Sequence, residues 1–365
     1  MKPKAHPLRR STCGLSLLEL LIAMSIFSLV ASLLIAALAT TQETWARTRE
    51  RIGQFREART AFEIAGQRIS AATVNPYWGY DDPEAPTEYR RQSELHFVTG
   101  PSEILLRSDP LSPGHSLFFQ APFGFGGSDA GSLGGGEIYD GIENGMNAWG
   151  YYVEFNSDAD EDYNMRPEFL NQGPAERKER ARFRLMEFRL PSEKLTLFEQ
   201  DEKGRPLFPN FSDKERIYEW FADSDRRKLN SYPVAENILV FGIRPRVPGL
   251  SPNEFSIAPA YHYDSRLFQW RKESSELTRT SRHQIPPVVD LFVVALEEPS
   301  FARYYDREGI AAVEALAEFV RQRFRKAELL EQDLEEVENH LNGLGIQNRV
   351  FQTSIAIRAG KWHSD

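Results

Sequence analysis

The sequence predicts an α+β protein: a long N-terminal helix packed on an antiparallel β-sheet domain, with a helical insertion near the C-terminus. Three observations carry this. Leu20 to Ala39 is a run of twenty residues without a charge, and as a helix it would span about 30 Å. Apolar residues then continue at helical spacing to Ala72. Beyond Pro76 the chain breaks into short apolar runs separated by turn residues, with no helices interleaved among the early ones, which points to antiparallel pairing.

The first fourteen residues form a basic leader with Lys2, Lys4, Arg9 and Arg10. Positive charge stays on the cytoplasmic side, so the rest of the chain is expected outside. The apolar half of the helix covers residues 15–39, and one carboxylate, Glu19, stands at its start. A carboxylate in a membrane helix is costly, which marks it for function and calls for a named partner. From Trp45 the apolar residues Ile52, Phe55, Phe62, Ala65, Ile69 and Ala72 form one stripe, with Arg and Glu opposite. This is the amphipathic half, residues 40–75, and Asn75-Pro76 is its expected stop, since the residue before proline disfavours the α region.

Three plain readings compete for the N-terminus. A bitopic anchor explains the apolar run but leaves Glu19 without a reason. A secretory signal peptide draws support from Ala37-Leu38-Ala39, yet its apolar region should be roughly 7–15 residues long and would not begin with an acid. A lipoprotein signal at Cys13 would place the apolar stretch before the cysteine, whereas here it follows.

Basic leader, Gly14, an apolar residue, Glu19 and then an apolar helix: this order resembles the class III signal of type IV prepilins and type II secretion pseudopilins. The resemblance implies that prepilin peptidase cuts between Gly14 and Leu15 and methylates the new terminus; Leu15 stands where the family usually has Phe. It implies Glu19 as an assembly residue, and other pilin or pseudopilin subunits and a secretion or pilus assembly platform as partners. It implies a single-pass inner-membrane protein whose main domain is periplasmic. A two-part helix of this kind is the signature element of pilin-like folds. A weaker likeness lies in the later blocks. Ala235-Glu236-Asn237 enters one strand, Pro286-Pro287 another, and a last strand ends at Gly360-Lys361-Trp362. This order resembles the larger minor pseudopilins of the J type and verrucomicrobial cassette-type pilin-like proteins.

Composition narrows the classes. Hydrophobic residues at 41% and charged residues at 27% suit a folded, water-soluble domain after the helix. Without the leader the chain carries 40 basic and 53 acidic residues, a charge of −13. That argues against nucleic acid as a partner, because phosphates select basic surfaces. The only cysteine, Cys13, lies in the leader, so the processed chain has no disulfide.

In the domain 76–365, strands are expected at Leu95–Val98, Ile104–Arg107, Ser116–Gln120, Trp149–Phe155, Phe183–Arg189, Leu195–Phe198, Asn237–Arg244, Val288–Leu296 and Val350–Arg358. The nearly all-apolar run Val288–Val294 is expected to be central. Between the last two strands, 310–342 reads as a helical insertion. Its stripe is Val313, Leu316, Val320, Phe324, Ala327, Leu330, Leu334, Val337 and Leu341, closed by Gly343 and Gly345. The stripe suits packing on the chain's own sheet; its near-heptad register also suits a coiled-coil contact with another subunit.

No motif reads as enzymatic. Asp158, Asp160 and Asp162 alternate like the start of a calcium loop, but the sixth and twelfth positions are Tyr163 and Phe169 where an EF-hand needs Gly and Glu. A solvated turn is the expectation, with calcium as the alternative and no other cofactor. The glycine-rich residues 124–136 lack the Lys-Ser or Lys-Thr of a phosphate cradle. Within them Ala130-Gly131-Ser132-Leu133-Gly134 lacks the apolar strand that a nucleophile elbow requires. The histidines show no metal spacing. The reading that results is a structural minor pseudopilin or minor pilin. The alternative is a signal-anchored or secreted extracytoplasmic binding domain, less readily a hydrolase.

Overall fold

The computed structural model describes residues 17–80, 85–107, 111–123, 145–158, 180–191, 195, 218–248, 255–258, 260–266 and 283–361. Two units are distinguished, Met1–Gly53 and Gln54–Asp365. Helix α1, Leu17–Ser70, begins in the first and ends in the second.

In the first unit the stretch Leu17–Gln42 is long and apolar enough to cross a membrane. Its large side chains face outward, from Leu17 to Phe27 to Leu38. Hydroxyls along it fold back on the helix: Ser25 donates to the Ile22 carbonyl at 2.8 Å and Thr40 to that of Ala36 at 3.0 Å. Where no water reaches, that is how a polar side chain satisfies itself.

In the second unit the last turns of α1 bury Ala58, Ala61, Phe62, Ala65 and Ile69, while Glu57, Arg59 and Glu63 stay exposed. Small residues let the backbone approach its neighbours closely. The Phe62 and Phe351 rings lie 6.2 Å apart, and the Ser70 carbonyl accepts the Arg358 N–H at 2.8 Å. The helix ends at Ser70, and Asn75, with φ 38°, turns the chain out of the following segment.

An exposed antiparallel hairpin comes next, β1 (Tyr77–Tyr80) with β2 (Tyr89–Gln92). The first large sheet has six strands. In chain order they are β3 (Val98–Pro101), β4 (His115–Ala121), β5 (Asn147–Ser157), β6 (Ala181–Leu190), β7 (Ser231–Glu236) and β10 (Tyr263–Asp264), arranged β10-β3-β4-β5-β6-β7. The second sheet has four: β8 (Ile238–Pro248), β9 (Phe255–Ile257), β11 (Val288–Leu296) and β12 (Asn348–Ala356), in the order β12-β11-β8-β9. Every ladder is antiparallel. The apolar run at 288–294 lies in β11, between β8 and β12, and is central as its composition requires.

One residue carries the chain from the first sheet to the second. Asn237 sits between β7 and β8 with φ 59°, a conformation that asparagine tolerates better than most residues, and its carbonyl accepts the Leu296 N–H at 2.7 Å. Each sheet also has a glycine beneath a cross-strand phenylalanine. Gly150 faces Phe118 and Gly242 faces Phe292, and a Cβ at Gly242 would lie 1.9 Å from the ring.

Some expected elements differ. Ile104–Arg107 is not a strand: Ser102–Leu105 forms a one-turn helix, α2, in which Leu106 N–H returns to Ser102 O. Three apolar residues, Ile104, Leu105 and Leu106, are too few to show a period that separates the two states. Leu95–Val98 is extended only at its end, because the Phe97 amide and carbonyl bond to Ser265 instead of to a ladder. Of Leu195–Phe198 only Leu195 is described, and it is buried. Helices α3 (Glu219–Ala222) and α4 (Ser224–Leu229) were not expected.

The helical segment after β11 begins earlier and is divided. It comprises α5 (Glu298–Glu308), α6 (Ile310–Gln322), a 3₁₀ turn at Ala327–Leu329 and α7 (Leu330–Gly343). Gly309, with φ 77°, separates the first two. All nine residues of the apolar stripe are buried within the chain, so that stripe is not the surface of a coiled-coil contact. Helix α7 ends in a Schellman arrangement, with Gly345 at φ 75° and Ile346 N–H bonded to Leu341 O at 2.9 Å.

Candidate functional site

The N-terminal candidates fall on both sides of the residue at which the described region begins. Gly14 and Leu15 lie outside it; Glu19 lies in the first turn of α1 and is exposed. A carboxylate in a first turn also faces the positive end of the helix dipole. Helix α1 therefore presents an acid followed by a surface that carries no further charge as far as Ala39.

The other end of α1 is tied into the second unit by charge as well as by packing. Arg68, near the last turn, pairs with Glu187 of β6, whose side chain is 1% exposed. The same carboxylate accepts from the Tyr151 hydroxyl at 2.7 Å and pairs with Arg189. The Arg68 guanidinium lies 4.5 Å from the centroid of the Trp149 ring. Burial lowers the Arg68 pKa and pushes the Tyr151 phenol well up. One buried acid thus holds two arginines and a phenol at the foot of the helix. Breaking such a buried set leaves charge uncompensated.

Asp158 closes the base of the β5–β6 connection. Its carboxylate accepts the Arg180 N–H at 2.9 Å, and its own amide bonds to Arg180 O at 3.3 Å. Arg182 and Arg184 interact electrostatically with it, and Arg184 is buried with its pKa lowered to about 10 by desolvation. Asp158 thus serves a hairpin and an arginine cluster. Asp160 and Asp162 lie outside the described residues, as do the glycine-rich residues 124–136. Among the described residues no group of three or more His, Cys, Asp or Glu side chains is arranged to hold a metal.

Two features had no sequence expectation. One is the face of the β1–β2 hairpin. Trp78, Tyr80 and Tyr89 are 46%, 58% and 59% exposed. Trp78 stacks on Tyr89 at 5.9 Å, and Arg91 lies 5.3 Å from the Trp78 ring. The other is a groove of about 640 Å³ between α1 and β12, lined by Arg59, Phe62, Glu63 and Gln67 on one side and Phe351 and Thr353 on the other.

A helix long and apolar enough to cross a membrane, an acid in its first turn and, later in the sequence, an α+β domain suit a membrane-anchored protein. Residues 9–35 match the family model of the prokaryotic N-terminal methylation motif. This is the class III prepilin signal, and it is consistent with a type IV pilin-like protein. No curated protein and no solved structure matches the chain.

Proposed function

We propose that the protein is a minor pilin or minor pseudopilin: a structural, non-enzymatic subunit that enters or initiates a periplasmic pseudopilus or a type IV pilus. The observation that carries the reading is the methylation motif at residues 9–35 running directly into a helix of 54 residues. Prepilin peptidase acts between Gly14 and Leu15, and the mature chain stays in the inner membrane with its domain in the periplasm. Its partners are other pilin or pseudopilin subunits and the assembly platform.

The test is substitution of Gly14 by a bulky residue. The leader then stays attached, and the protein is retained in the membrane without crosslinking to co-expressed pilin partners. Maturation of that variant to the wild-type mass would refute the assignment. A second reading, an anchored binding domain, is favoured by the exposed aromatic face of Trp78, Tyr80 and Tyr89. Aromatic rings open to solvent are a recurrent feature of recognition surfaces. On that reading the Gly14 variant would keep its activity.

A further inference from the structure

The junction between α6 and α7 is held in an unfavourable shape by two side chains that titrate. Phe324 lies there with φ 50°. A bulky residue adopts this left-handed conformation only where its surroundings impose it. Both of its backbone polar groups are bound. Its N–H donates to Asp333 Oδ2 at 3.0 Å, from α7. Its carbonyl accepts from His115 Nε2 at 3.0 Å, from β4.

His115 is fixed from its other nitrogen too, since Nδ1 accepts the Ile243 N–H of β8 at 3.2 Å. A carbonyl only accepts and an amide N–H only donates, so the ring is neutral with its proton on Nε2. It is 1% exposed and packs against Tyr261 at 4.4 Å, Phe292 at 6.0 Å and Phe324 at 6.4 Å. One imidazole therefore joins the first sheet, the second sheet and the helical layer.

We propose that this junction is a proton-operated clasp: protonation of His115 and Asp333 frees Phe324 and loosens α6 and α7 from the second sheet while both sheets stay folded. A proton at His115 Nδ1 converts an acceptor into a donor aimed at the Ile243 N–H, so that contact turns repulsive. A proton on Asp333 removes the charge that strengthens its bond to Phe324 N–H. With neither hold in place, Phe324 relaxes to an ordinary conformation and the junction opens.

The surroundings place the two protonations close together. Burial lowers the His115 pKa to about 4 and raises that of Asp333. Groups that ordinarily titrate apart are thus brought toward one acid window, which makes release steep. The charged groups facing the clasp come from each packed element. Arg323 of the junction favours the ionised Asp333 and Glu336 of α7 opposes it. Tyr261 feels Asp333 and Glu331 of α7 and Arg244 of β8. Arg244 in turn pairs with Asp290 of β11 at 2.8 Å and donates to the Ala327 carbonyl at 3.3 Å. Opening would uncover an apolar surface that includes Phe324, Ala327 and Leu330, all buried in the closed form.

Hydrogen exchange on the full chain in detergent micelles tests this, with labelling times scaled to intrinsic exchange at each pH. On going from neutral pH to about 3.5, residues 323–341 are expected to lose protection by about tenfold or more while β5 and β6 keep theirs. His115→Gln and Asp333→Asn, each removing one titrating group, should make the loss shallower. Three results would overturn the clasp. One is full protection of 323–341 at the lowest pH, and another is loss in step with β5 and β6. The third is an identical pH response in wild type and both variants. The first two are read on the wild-type protein, so they stand even where a variant does not fold.

Discussion

At the scale of residues, a few buried polar side chains each join distant parts of the chain. Glu187 is the clearest. It meets Arg68 119 positions away, and Glu187→Ala would leave two arginines and a phenol without their acid. Loss of one partner from a buried ionic set typically costs about 3–5 kcal/mol, so we expect a cost near the lower end because Arg68 is partly exposed. Denaturant titration of the micelle-bound chain, followed by tryptophan fluorescence, would measure it; a change below about 1 kcal/mol would contradict this role.

His115 gives a pH prediction with a definite sign. Its folded pKa is lowered from 6.5 to about 4, so as pH falls the unfolded chain takes up the proton first. Stability should therefore fall as pH drops from about 6.5 to about 4, by up to roughly 3 kcal/mol, and His115→Gln should remove that part of the slope. A slope unchanged in the variant would place the dependence elsewhere. Neither contact is legible in the sequence. Arg, Glu and His occur throughout the chain, and only folding selects which of them meet.

Elements show which features local patterns carry and which they do not. The run at Leu20–Ala39 states its helix by length, twenty residues without a charge, and the stripe from Phe62 to Ala72 by its spacing of three and four. Strands β4, β5, β6, β8, β11 and β12 are legible for a different reason: each is a short run rich in apolar and aromatic residues. The change of sheet at Asn237 is not, since a left-handed asparagine looks like any other turn residue. The one-turn helix at Ser102–Leu105 is not legible, because four residues carry no period. Nor is the division of the C-terminal helical segment at Phe324, because the apolar spacing runs on through the break.

One element-scale prediction concerns the cross-strand pair of Gly242 and Phe292. A methyl group at Gly242 would collide with the Phe292 ring, so Gly242→Ala should destabilise the second sheet by about 2–3 kcal/mol, as overpacking does. Gly343→Ala, with open space around the new Cβ, is the control and should change the melting temperature little. Equal melting temperatures for the two variants would show that β8 and β11 do not pack as described.

For the whole molecule, the account rests on how the N-terminus is processed and paired. After cleavage Leu15 would carry an α-amino group four residues before Glu19 in the sequence. At 4 Å and an effective dielectric constant of about 20 the pair gains roughly 4 kcal/mol, comparable with the penalty for a carboxylate in lipid. On the proposed pilin reading, that amine is supplied by a neighbouring subunit. Glu19→Ala is then expected to insert, be cleaved and keep a folded domain, yet fail to crosslink with co-expressed pilin partners. Wild-type crosslinking by that variant would remove Glu19 from assembly.

The processed terminus itself is the most direct observable. Intact mass spectrometry of protein purified from membranes is predicted to give a chain beginning at Leu15 and bearing one added methyl group. A chain beginning at Met1 would mean an uncleaved anchor, and one beginning at Thr40 a secreted domain; either would contradict the pilin-like account.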